Sequence, residues 1–483
     1  MAAQGRHTMT DVRNDDFTLI NAIEDVIPLY QGNRLPENKQ YIGFETEICV
    51  YKNVEGKPVA ASAQDCAQLL RHLKKLGHAP QLEMASAVEY ASPAFRVTEV
   101  PQLVKEIKQS FNDYTDAIRS QGFTPNDSAL LPFVTLESAE SNLVDRDRAR
   151  GLVKGMKLFK EPEFLKVTLL CTSTQVSLSY KDPDDLHDLL TTGYALQAPI
   201  YALFGNYPAF VEGSDKRIDV NPRAAFYEAF GPQGGIPESL LRAKDGDDFI
   251  RSHAKQVFET PLLFYYDEKK NLVWPEKPVT FDELKALGLN TRSNYDLAES
   301  FIYTDLKICN IRDETGHPTG KRIEVRGFDA GALGVEGSVP FIHATLRDPE
   351  TRLAVKGLLA EYGLSPDQDG WQERVQQARH NTAFHGGKYL DVDFGVKADG
   401  RPGNLRDFCR QLGEVLQLHA ARNPGVAESL KEVTGICKTG LTLAERKSRA
   451  TPDYEFANRQ LVAAASNDNR QFLPSARLKR PAP

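Results

Sequence analysis

The chain has 483 residues, of which 41% are hydrophobic and 26% are charged, and its formal net charge is −7. This composition is typical of a globular protein with a sizeable core. The negative charge argues against nucleic acid as the main partner, because such partners usually require a basic face. No apolar run approaches the roughly 18 residues that a membrane span needs, and the N-terminus lacks the apolar region of a secretory signal. We therefore expect a cytoplasmic protein with neither a nucleic-acid nor a membrane partner.

The N-terminal part of the chain is predicted to alternate between helices and short strands. Residues 1–16 are polar, and we expect them to be mobile. Apolar residues spaced three and four apart predict the helices, and short apolar runs bounded by turn residues predict the strands. In chain order the predicted elements are a helix over 17–30, a strand over 40–52, a helix over 63–77, strands around 81–83 and 87–91, and a helix over 100–121.

The remaining elements predict the fold class. They are a long strand over 165–180, helices over 184–206 and 246–260, strands over 300–331 with a hairpin tip at 313–320, and helices over 340–363, 371–384 and 404–423. Because the strands come in separated groups with helical blocks between them, the fold class is predicted to be α+β with a largely antiparallel sheet. We expect a single domain over 17–447 and a C-terminal tail over 448–483.

Charged side chains share one face of each of two predicted strands. Successive strand side chains point to opposite faces, so Glu45 and Glu47 lie together, as do Glu324 and Arg326 in the run 321–327. Two acids alone usually form a solvated face, but charged groups on an apolar-backed strand are costly unless they bind something charged. The repetition of the pattern therefore points to a divalent metal with a nucleotide phosphate.

Two further strand-like segments add side chains of the same kind. Glu83 and Glu89 lie in QLEMASAVEYASPA, and Gln175 lies in STQVSLSY beside Ser177 and Ser179. Carboxylates are ligands that Mg²⁺ prefers, and arginine binds phosphate oxygens bidentately. These residue types fit phosphoryl transfer, which depends mostly on positioning and electrostatic stabilisation. The chain has no P-loop and no Gly-x-Gly-x-x-Gly run after a strand, so a nucleotide would be held by another device.

At these residues the chain resembles the plant and proteobacterial type of glutamate–cysteine ligase, within the carboxylate–amine ligase group. Six segments between residues 40 and 446 are similar to family motifs and occur in the family's order. Residues 43–47 (GFETE) resemble Gly-x-Glu-x-Glu, and residues 323–329 (IEVRGFD) resemble Leu-Glu-Met-Arg-Gly-Ala-Asp. The other four segments are residues 82–92, 171–178, 195–206 and 438–445.

The resemblance implies a curved antiparallel sheet akin to the catalytic fold of glutamine synthetase, with a concave active-site face and helices packed on the outer side. It implies that ATP, Mg²⁺ and glutamate bind on the concave face, in an enzyme of glutathione biosynthesis. The side-chain carboxylate of glutamate would attack the γ-phosphate of ATP, and an amine would then displace phosphate from the acyl phosphate. With cysteine as the amine, the product would be γ-glutamylcysteine.

The resemblance also implies roles for individual residues. Glu324 and Arg326 are the implied catalytic residues, and Arg326, Arg223 and Gln175 are implied to bind the cofactor. Arg223 lies in DVNPRAAFY and resembles the family arginine that would bind glutamate or phosphate. The implied metal ligands are Glu45, Glu47, Glu83, Glu89 and Glu324.

Several departures from the family pattern keep alternatives open. Ser177 and Ser179 replace a family Asn and Asp, residues 84–87 (MASA) replace glycines, and residues 313–320 resemble an extension. Because these changes lie near the substrate-binding segments, one alternative is a ligase for a different amine or peptide acceptor. Another is a non-catalytic regulator that binds a nucleotide or an amino acid, although the retained acids and arginine favour chemistry. The oligomeric state is not predicted.

Overall fold

One antiparallel sheet gathers the acidic strands from distant parts of the chain. The computed structural model describes residues 17–159, 163–214, 216–313, 316–397 and 400–451. Within these ranges, nine strands form a single sheet. They are β1 Tyr41–Val54, β2 Lys57–Ala60, β3 Gln81–Leu82, β4 Ala87–Ala91, β5 Phe95–Arg96, β6 Thr124–Pro125, β7 Ser173–Leu178, β8 Leu306–Arg312 and β9 Pro318–Asp329.

The central strands follow the order β8-β9-β7-β1-β4-β3, and β2, β5 and β6 also pair with β1. All of these pairings are antiparallel. The sheet is curled into a half-barrel. Burial alternates along the first half of β1, as expected for a strand with one face in the core and one face on a cavity. The predicted α+β class and curved antiparallel sheet are confirmed.

Seventeen α-helices in the described ranges surround the sheet. They are α1 Ala63–Lys75, α2 Val100–Ser120, α3 Leu136–Ser141, α4 Asp147–Phe159, α5 Glu163–Leu170, α6 Pro183–Ala195, α7 Gln197–Leu203, α8 Pro222–Glu228, α9 Glu238–Leu241, α10 Gly246–Glu259, α11 Arg292–Ser300, α12 Ala332–Ile342, α13 Pro349–Glu361, α14 Trp371–Ala383, α15 Leu405–Arg422, α16 Pro424–Thr439 and α17 Leu443–Ala450. No helix within the described ranges is both long enough and apolar enough to cross a bilayer.

The core lies between the outer face of the sheet and the helices α7 and α12. Phe44, Val176 and Val325 project from β1, β7 and β9 and are at most 1% exposed. Beyond them, the ring of Phe204 lies 5.3 Å from that of Phe341 in an edge-to-face arrangement. Each such buried side chain contributes about 1.5–3 kcal/mol relative to an exposed one. This apolar layer holds the sheet rigid and leaves its inner face for polar side chains.

The helix predicted over residues 17–30 is wrong. The segment forms two short 3₁₀ turns instead of a continuous helix. The carboxylate of Asp25 accepts hydrogen bonds from the backbone N–H groups of Asn21 and Ala22, which competes with helical pairing. Pro28, in the second turn, has no N–H to donate to a helical ladder.

The long strand predicted over 165–180 is wrong in its first half, and β7 covers only its second half. Residues 163–170 form α5, whose Leu165 and Leu169 are buried one helical turn apart. A short apolar run with β-branched residues does not distinguish a buried helix from a buried strand, because a fully buried segment of either kind is apolar throughout and shows no periodicity. The single helix predicted over 184–206 is two helices, α6 and α7, that meet at Leu196.

The predictions for the chain ends lie mostly outside the described residues. This holds for the mobile segment 1–16 and for residues 452–483 of the predicted tail. The described residues include the start of that tail, where α17 continues to Ala450 and Arg217 donates to the carbonyl of Ser448 at 2.6 Å. The predicted hairpin between β8 and β9 is confirmed by their pairing, although residues 314–315 of its tip are not described. The single-domain organisation stays a prediction.

Candidate active site

Cross-strand register brings polar side chains from five strands onto the inner face of the sheet. Glu324 of β9 stands opposite Ser177 of β7, and Glu47 of β1 stands opposite Glu89 of β4. Directly opposed residues in an antiparallel pair have Cβ atoms about 5 Å apart, so their side chains interact. The sheet therefore assembles one polar surface from residues that lie far apart in the sequence.

Glu47, Glu83 and Glu89 form an acid triplet at the β1–β4 side of this surface. Each offers a carboxylate oxygen, and these oxygens lie within 4.8 Å of one another. Glu83 follows β3, and its N–H donates to the carbonyl of Ala87 across the turn into β4. Among the described residues, this is the one such cluster of three or more His, Cys, Asp or Glu side chains. The structure thus brings together three of the five predicted metal ligands.

The electrostatics of the acid triplet fit a bound divalent cation. Burial, together with the negative charge of Glu47, raises the pKa of Glu83 to about 8. Burial and the charge of Glu83 raise the pKa of Glu89 to about 10. Carboxyl groups held this close cannot all ionise unless a positive charge compensates them. An all-oxygen donor set of three carboxylates is the kind of site that Mg²⁺ or Mn²⁺ occupies.

Two groups of β7 orient Glu47. The side-chain amide of Gln175 donates to Oε1 of Glu47 at 3.0 Å, and the backbone N–H of Ser173 donates to Oε2 at 2.7 Å. Burial raises the pKa of Glu47, although the Ser173 N–H and the charges of Arg223 and Arg326 partly offset this effect. Gln175 therefore supports a member of the acid triplet, and its binding of nucleotide stays a prediction.

The other two predicted metal ligands, Glu45 and Glu324, are linked by an arginine that the sequence analysis missed. Arg322 donates to Glu45 at 2.9 Å and to Glu324 at 3.1 Å, and it also contacts the hydroxyl of Ser177. Arg322 lies two residues before Glu324 on β9, so the two-residue period of the strand could have identified it. Metal ligation by Glu45 and Glu324 stays a prediction.

Glu324 is held ionised although it is deeply buried. Burial raises the pKa of this carboxyl group, but the positive charges of Arg322, Arg326 and Lys307 outweigh it, and the net pKa is lowered. The oxygen Oε1 of Glu324 lies 3.4 Å from Nε of Arg326. The two predicted catalytic residues are therefore neighbours, and this end of the inner face carries a positive charge excess.

Two nitrogen donors of Arg326 have no hydrogen-bond partner among the described residues. Its Nε and Nη1 atoms are buried and make no hydrogen bond with any described residue, since the 3.4 Å approach to Glu324 is poorly aligned. Its guanidinium lies 5.5 Å from the centre of the Tyr227 ring. A buried donor without a partner costs about 1–3 kcal/mol, so it is expected where a ligand supplies the acceptor. The arrangement suits an anion with several oxygens.

Arg223 is placed differently from Arg326. It lies in the first turn of α8, is 1% exposed and forms an ion pair with Asp329 at 2.9 Å. It also donates to the backbone carbonyls of Phe328 at 2.8 Å and Arg326 at 2.5 Å. Three hydrogen bonds inside the protein thus engage its guanidinium, and its predicted binding of cofactor stays a prediction.

A cavity of about 250 Å³ is lined by part of this polar surface. Side chains of α4, α5 and α8 also line it, and its charged lining residues include Glu47, Glu83, Arg223, Lys307 and Arg326. Burial lowers the pKa of Lys307 to about 8, and its amine donates to the carbonyl of Ser300 at 2.8 Å. The sequence analysis did not select Lys307, although it stands opposite Glu324 in the hairpin register.

Comparison with a solved structure supports the assignment of the fold. The crystal structure of glutamate–cysteine ligase from Francisella tularensis in complex with AMP is similar, with a TM-score of 0.50, 13% sequence identity and coverage of 92% of both chains. The crystal structure of a bifunctional glutathione synthetase from Pasteurella multocida matches with a TM-score of 0.43 and 12% identity, over 89% of this chain and 52% of that one. No curated protein sequence matches the chain significantly.

The family assignment comes from the sequence over almost the whole described chain. The sequence model of glutamate-cysteine ligase family 2 (GCS2) matches residues 41–458. This range begins at the first residue of β1 and includes every strand of the central sheet. The matched range therefore contains the acid triplet, both arginines of β9 and the cavity between them. The chain belongs to glutamate-cysteine ligase family 2, a family of carboxylate–amine ligases.

Proposed function

We propose that this protein is an ATP- and Mg²⁺-dependent ligase that joins the side-chain carboxylate of glutamate to the amino group of cysteine and forms γ-glutamylcysteine. The observation that carries the proposal is the presence of both kinds of charge in one cavity. Glu47 and Glu83, two of the three carboxylates of the acid triplet, line it together with Arg326, a buried arginine with unpaired donors. Family membership supports the reaction class, and the AMP bound to the Francisella tularensis ligase supports the use of a nucleotide.

In this proposal the residues of the chain bind and orient two anions that would otherwise repel each other. The acid triplet would hold Mg²⁺, which neutralises phosphate charge when it is bound. Arg326 binds oxygens of the transferred phosphoryl group through Nε and Nη1, and Glu324 fixes the orientation of that guanidinium. Charge that develops on the phosphoryl oxygens is then met by donors that are already in place and need no reorganisation.

The identity of the amine is a separate question from the phosphoryl chemistry. Ser177 stands where the family carries an amide. Its hydroxyl accepts from Arg322, the arginine that also links Glu45 and Glu324. An acceptor other than cysteine would leave the acid triplet and Arg326 unchanged in their roles. The assay of the proposal must therefore vary the amine.

The experiment measures ADP release from Mg·ATP and glutamate with a panel of amines. Release that is fastest with cysteine, together with γ-glutamylcysteine identified by mass spectrometry, is the expected result. Release with another amino acid, a simple amine or a peptide would retain the ligase and replace the acceptor. No release with any amine would contradict the ligase and favour a binding protein.

Substitutions tie the activity to the site. Glu47→Gln and Glu324→Gln each remove a charge at nearly constant volume, and each should lower kcat by about a hundredfold or more. Glu238→Gln is the matched control, because Glu238 is exposed and forms a surface ion pair with the exposed Arg242. Wild-type rates in Glu324→Gln would remove this residue from the catalytic machinery.

A further inference from the structure

The strand β9 contains a β-bulge at Arg326 and Gly327. Its ladder with β7 pairs Val325 with Val176 and then resumes with Phe328 opposite Thr174, so two residues of β9 oppose the single residue left on β7. A bulge of this kind shifts the alternation of side chains by one position. The bulge therefore decides which side chains beyond Arg326 reach the inner face.

The burial pattern shows the effect of this shift. Without the bulge, Phe328 would share the inner face with Arg326, because residues two apart lie on one side of a strand. Instead Phe328 packs in the core, with its ring 4.7 Å from that of Phe204. Asp329 returns to the side of Arg223 and pairs with it. The bulge thus allows an arginine for the cavity and an aromatic residue for the core within three positions.

The backbone of the bulge leaves the β7 ladder and finds other partners. The N–H of Arg326 donates to the carbonyl of Asp305 at 2.9 Å. The carbonyls of Arg326 and Phe328 accept from the two Nη atoms of Arg223 at 2.5 and 2.8 Å. Buried backbone groups need such partners, and Arg223 supplies both of these. The pair with Asp329 holds its guanidinium in place.

From this geometry we infer that Arg223 is a positioning residue that acts through Arg326. It fixes the backbone of the bulge, including the carbonyl of Arg326, and so holds the point from which the guanidinium of Arg326 extends into the cavity. Arg223 also lines the cavity, but Asp329 neutralises it and three hydrogen bonds engage its guanidinium, so its charge is less available to a substrate anion than that of Arg326. The inference rests on the proposed function only for its kinetic test.

The kinetic test is a double-mutant cycle between Arg223→Lys and Arg326→Gln. Lysine keeps a positive charge for Asp329 but cannot reach both carbonyls of the bulge, so Arg223→Lys should lower kcat about tenfold or more. In the Arg326→Gln background the same change should cost less than about threefold, because there is no guanidinium left to position. A full additional loss in that background would mean that Arg223 acts independently, and it would overturn the inference.

A matched control separates positioning from general loss of stability. Arg347 is as buried as Arg223, donates to the carbonyl of Ser179 and pairs with Glu37 and Asp185. Arg347→Lys should lower the melting temperature comparably, and its effect on kcat should be no smaller in the Arg326→Gln background than in the wild type. If Arg347→Lys also lost most of its effect on kcat in the Arg326→Gln background, as expected for Arg223→Lys, the inference would be overturned.

A readout without turnover keeps the test valid if the ligase proposal fails. In Arg223→Lys, hydrogen–deuterium exchange in a peptide spanning 324–329 should accelerate about tenfold or more, because the bulge loses a backbone partner. In Arg347→Lys the same peptide should exchange as in the wild type. Unchanged exchange in Arg223→Lys would overturn the inference, whereas accelerated exchange without any ADP release would contradict only the ligase proposal.

Discussion

Single residues in this site trade stability for binding. Glu83 and Glu89 are buried beside each other and beside Glu47, although ionised carboxylates in such surroundings repel and lack solvent. A protein that needed only stability would place apolar or amide groups at these positions. The cost is expected where the same groups must capture a cation.

The first prediction is that metal binding is coupled to proton release. Burial and neighbouring acids raise the pKa of Glu83 to about 8 and that of Glu89 to about 10, so both carry a proton at neutral pH in the absence of a cation. A cation displaces these protons, and its apparent affinity should therefore rise with pH between 6 and 9. Calorimetric titration with Mn²⁺ in buffers of different ionisation enthalpy measures both the affinity and the protons released.

An affinity for Mn²⁺ that is flat between pH 6 and 9 would show that the acid triplet is ionised without the metal. The control is Glu83→Gln, which removes one of the two displaced protons. This variant should bind Mn²⁺ more weakly and release fewer protons.

The second prediction concerns the metal-free protein. A carboxyl group with a raised pKa in the folded state stabilises that state fully below its unfolded pKa, about 4.3, and this contribution is lost as the pH rises through the folded value, about 8 for Glu83. Glu83→Gln cannot ionise, so its free energy of unfolding should exceed that of the wild type by an amount that grows between pH 5 and 8. The growth is limited to about 1.4 kcal/mol per pH unit.

Urea unfolding in the presence of a chelator measures this difference at several pH values. Glu238→Gln, at an exposed position, should track the wild type within about 0.5 kcal/mol. Saturating Mn²⁺ should abolish the advantage of Glu83→Gln, because only the wild type keeps the complete acid triplet.

At the scale of elements, β9 is the strand on which the site depends. Its inner face carries Arg322, Glu324 and Arg326, and its bulge returns Phe328 to the core. Its outer face carries Lys321, which forms a buried ion pair with Glu299 of α11. The strand is therefore held by contacts on both faces, and substitutions on either face should alter the geometry of the site.

The third prediction is that Gly327→Ala destabilises the bulge. A Cβ at this position would lie 2.5 Å from Oε1 of Gln197 and 2.9 Å from Cγ2 of Ile200, both on α7, which packs behind the strand. Overpacking of this kind costs about 1–3 kcal/mol. Differential scanning calorimetry should show a lower melting temperature, and Gly357→Ala, where no atom lies within 4 Å, is the matched control on α13. If Gly327→Ala and the wild type had the same melting temperature, α7 would be able to move away from the added methyl group at little cost.

The fourth prediction concerns the ion pair behind β9. Burial raises the pKa of Glu299, but Lys321 and His253 outweigh it, and the net pKa is strongly lowered. Its stabilising contribution is present above the unfolded pKa and is lost as the pH falls below about 4.3 towards the lowered folded value. Lys321→Met removes one of these two partners of the buried carboxylate and should cost about 3–5 kcal/mol at pH 7.

Urea unfolding at pH 7 and pH 4 tests the ion pair. The difference between Lys321→Met and the wild type should shrink at the lower pH, where Glu299 of the variant, without Lys321 beside it, can protonate. A constant difference would show that lost packing of the Lys321 stem, and not its charge, causes the destabilisation.

On the scale of the whole molecule, the sequence was sufficient for the sheet and for most of the acids, but not for their partners. The two-residue period of β1 and β9 predicted Glu45, Glu47, Glu324 and Arg326 on one inner surface. The division of the acids into a triplet and an arginine-linked pair depends on strand order and register, which no local pattern encodes. The bulge at Gly327 was likewise hidden, because a glycine in a strand does not by itself reveal a register shift.

The last prediction tests whether the molecule behaves as one cooperative unit. The cavity is lined by residues from Glu47 to Arg326, so a nucleotide bound there as proposed would contact segments that lie far apart in the chain. A ligand that binds only the folded state at 100 times its Kd stabilises it by about 2.7 kcal/mol. Calorimetry with a non-hydrolysable ATP analogue and Mg²⁺ should therefore move one single transition to higher temperature, and Arg326→Gln should reduce the shift. Two transitions, of which only one shifts with the ligand, would contradict a single domain over residues 17–447. One part of the chain would then unfold independently of the part that binds the ligand.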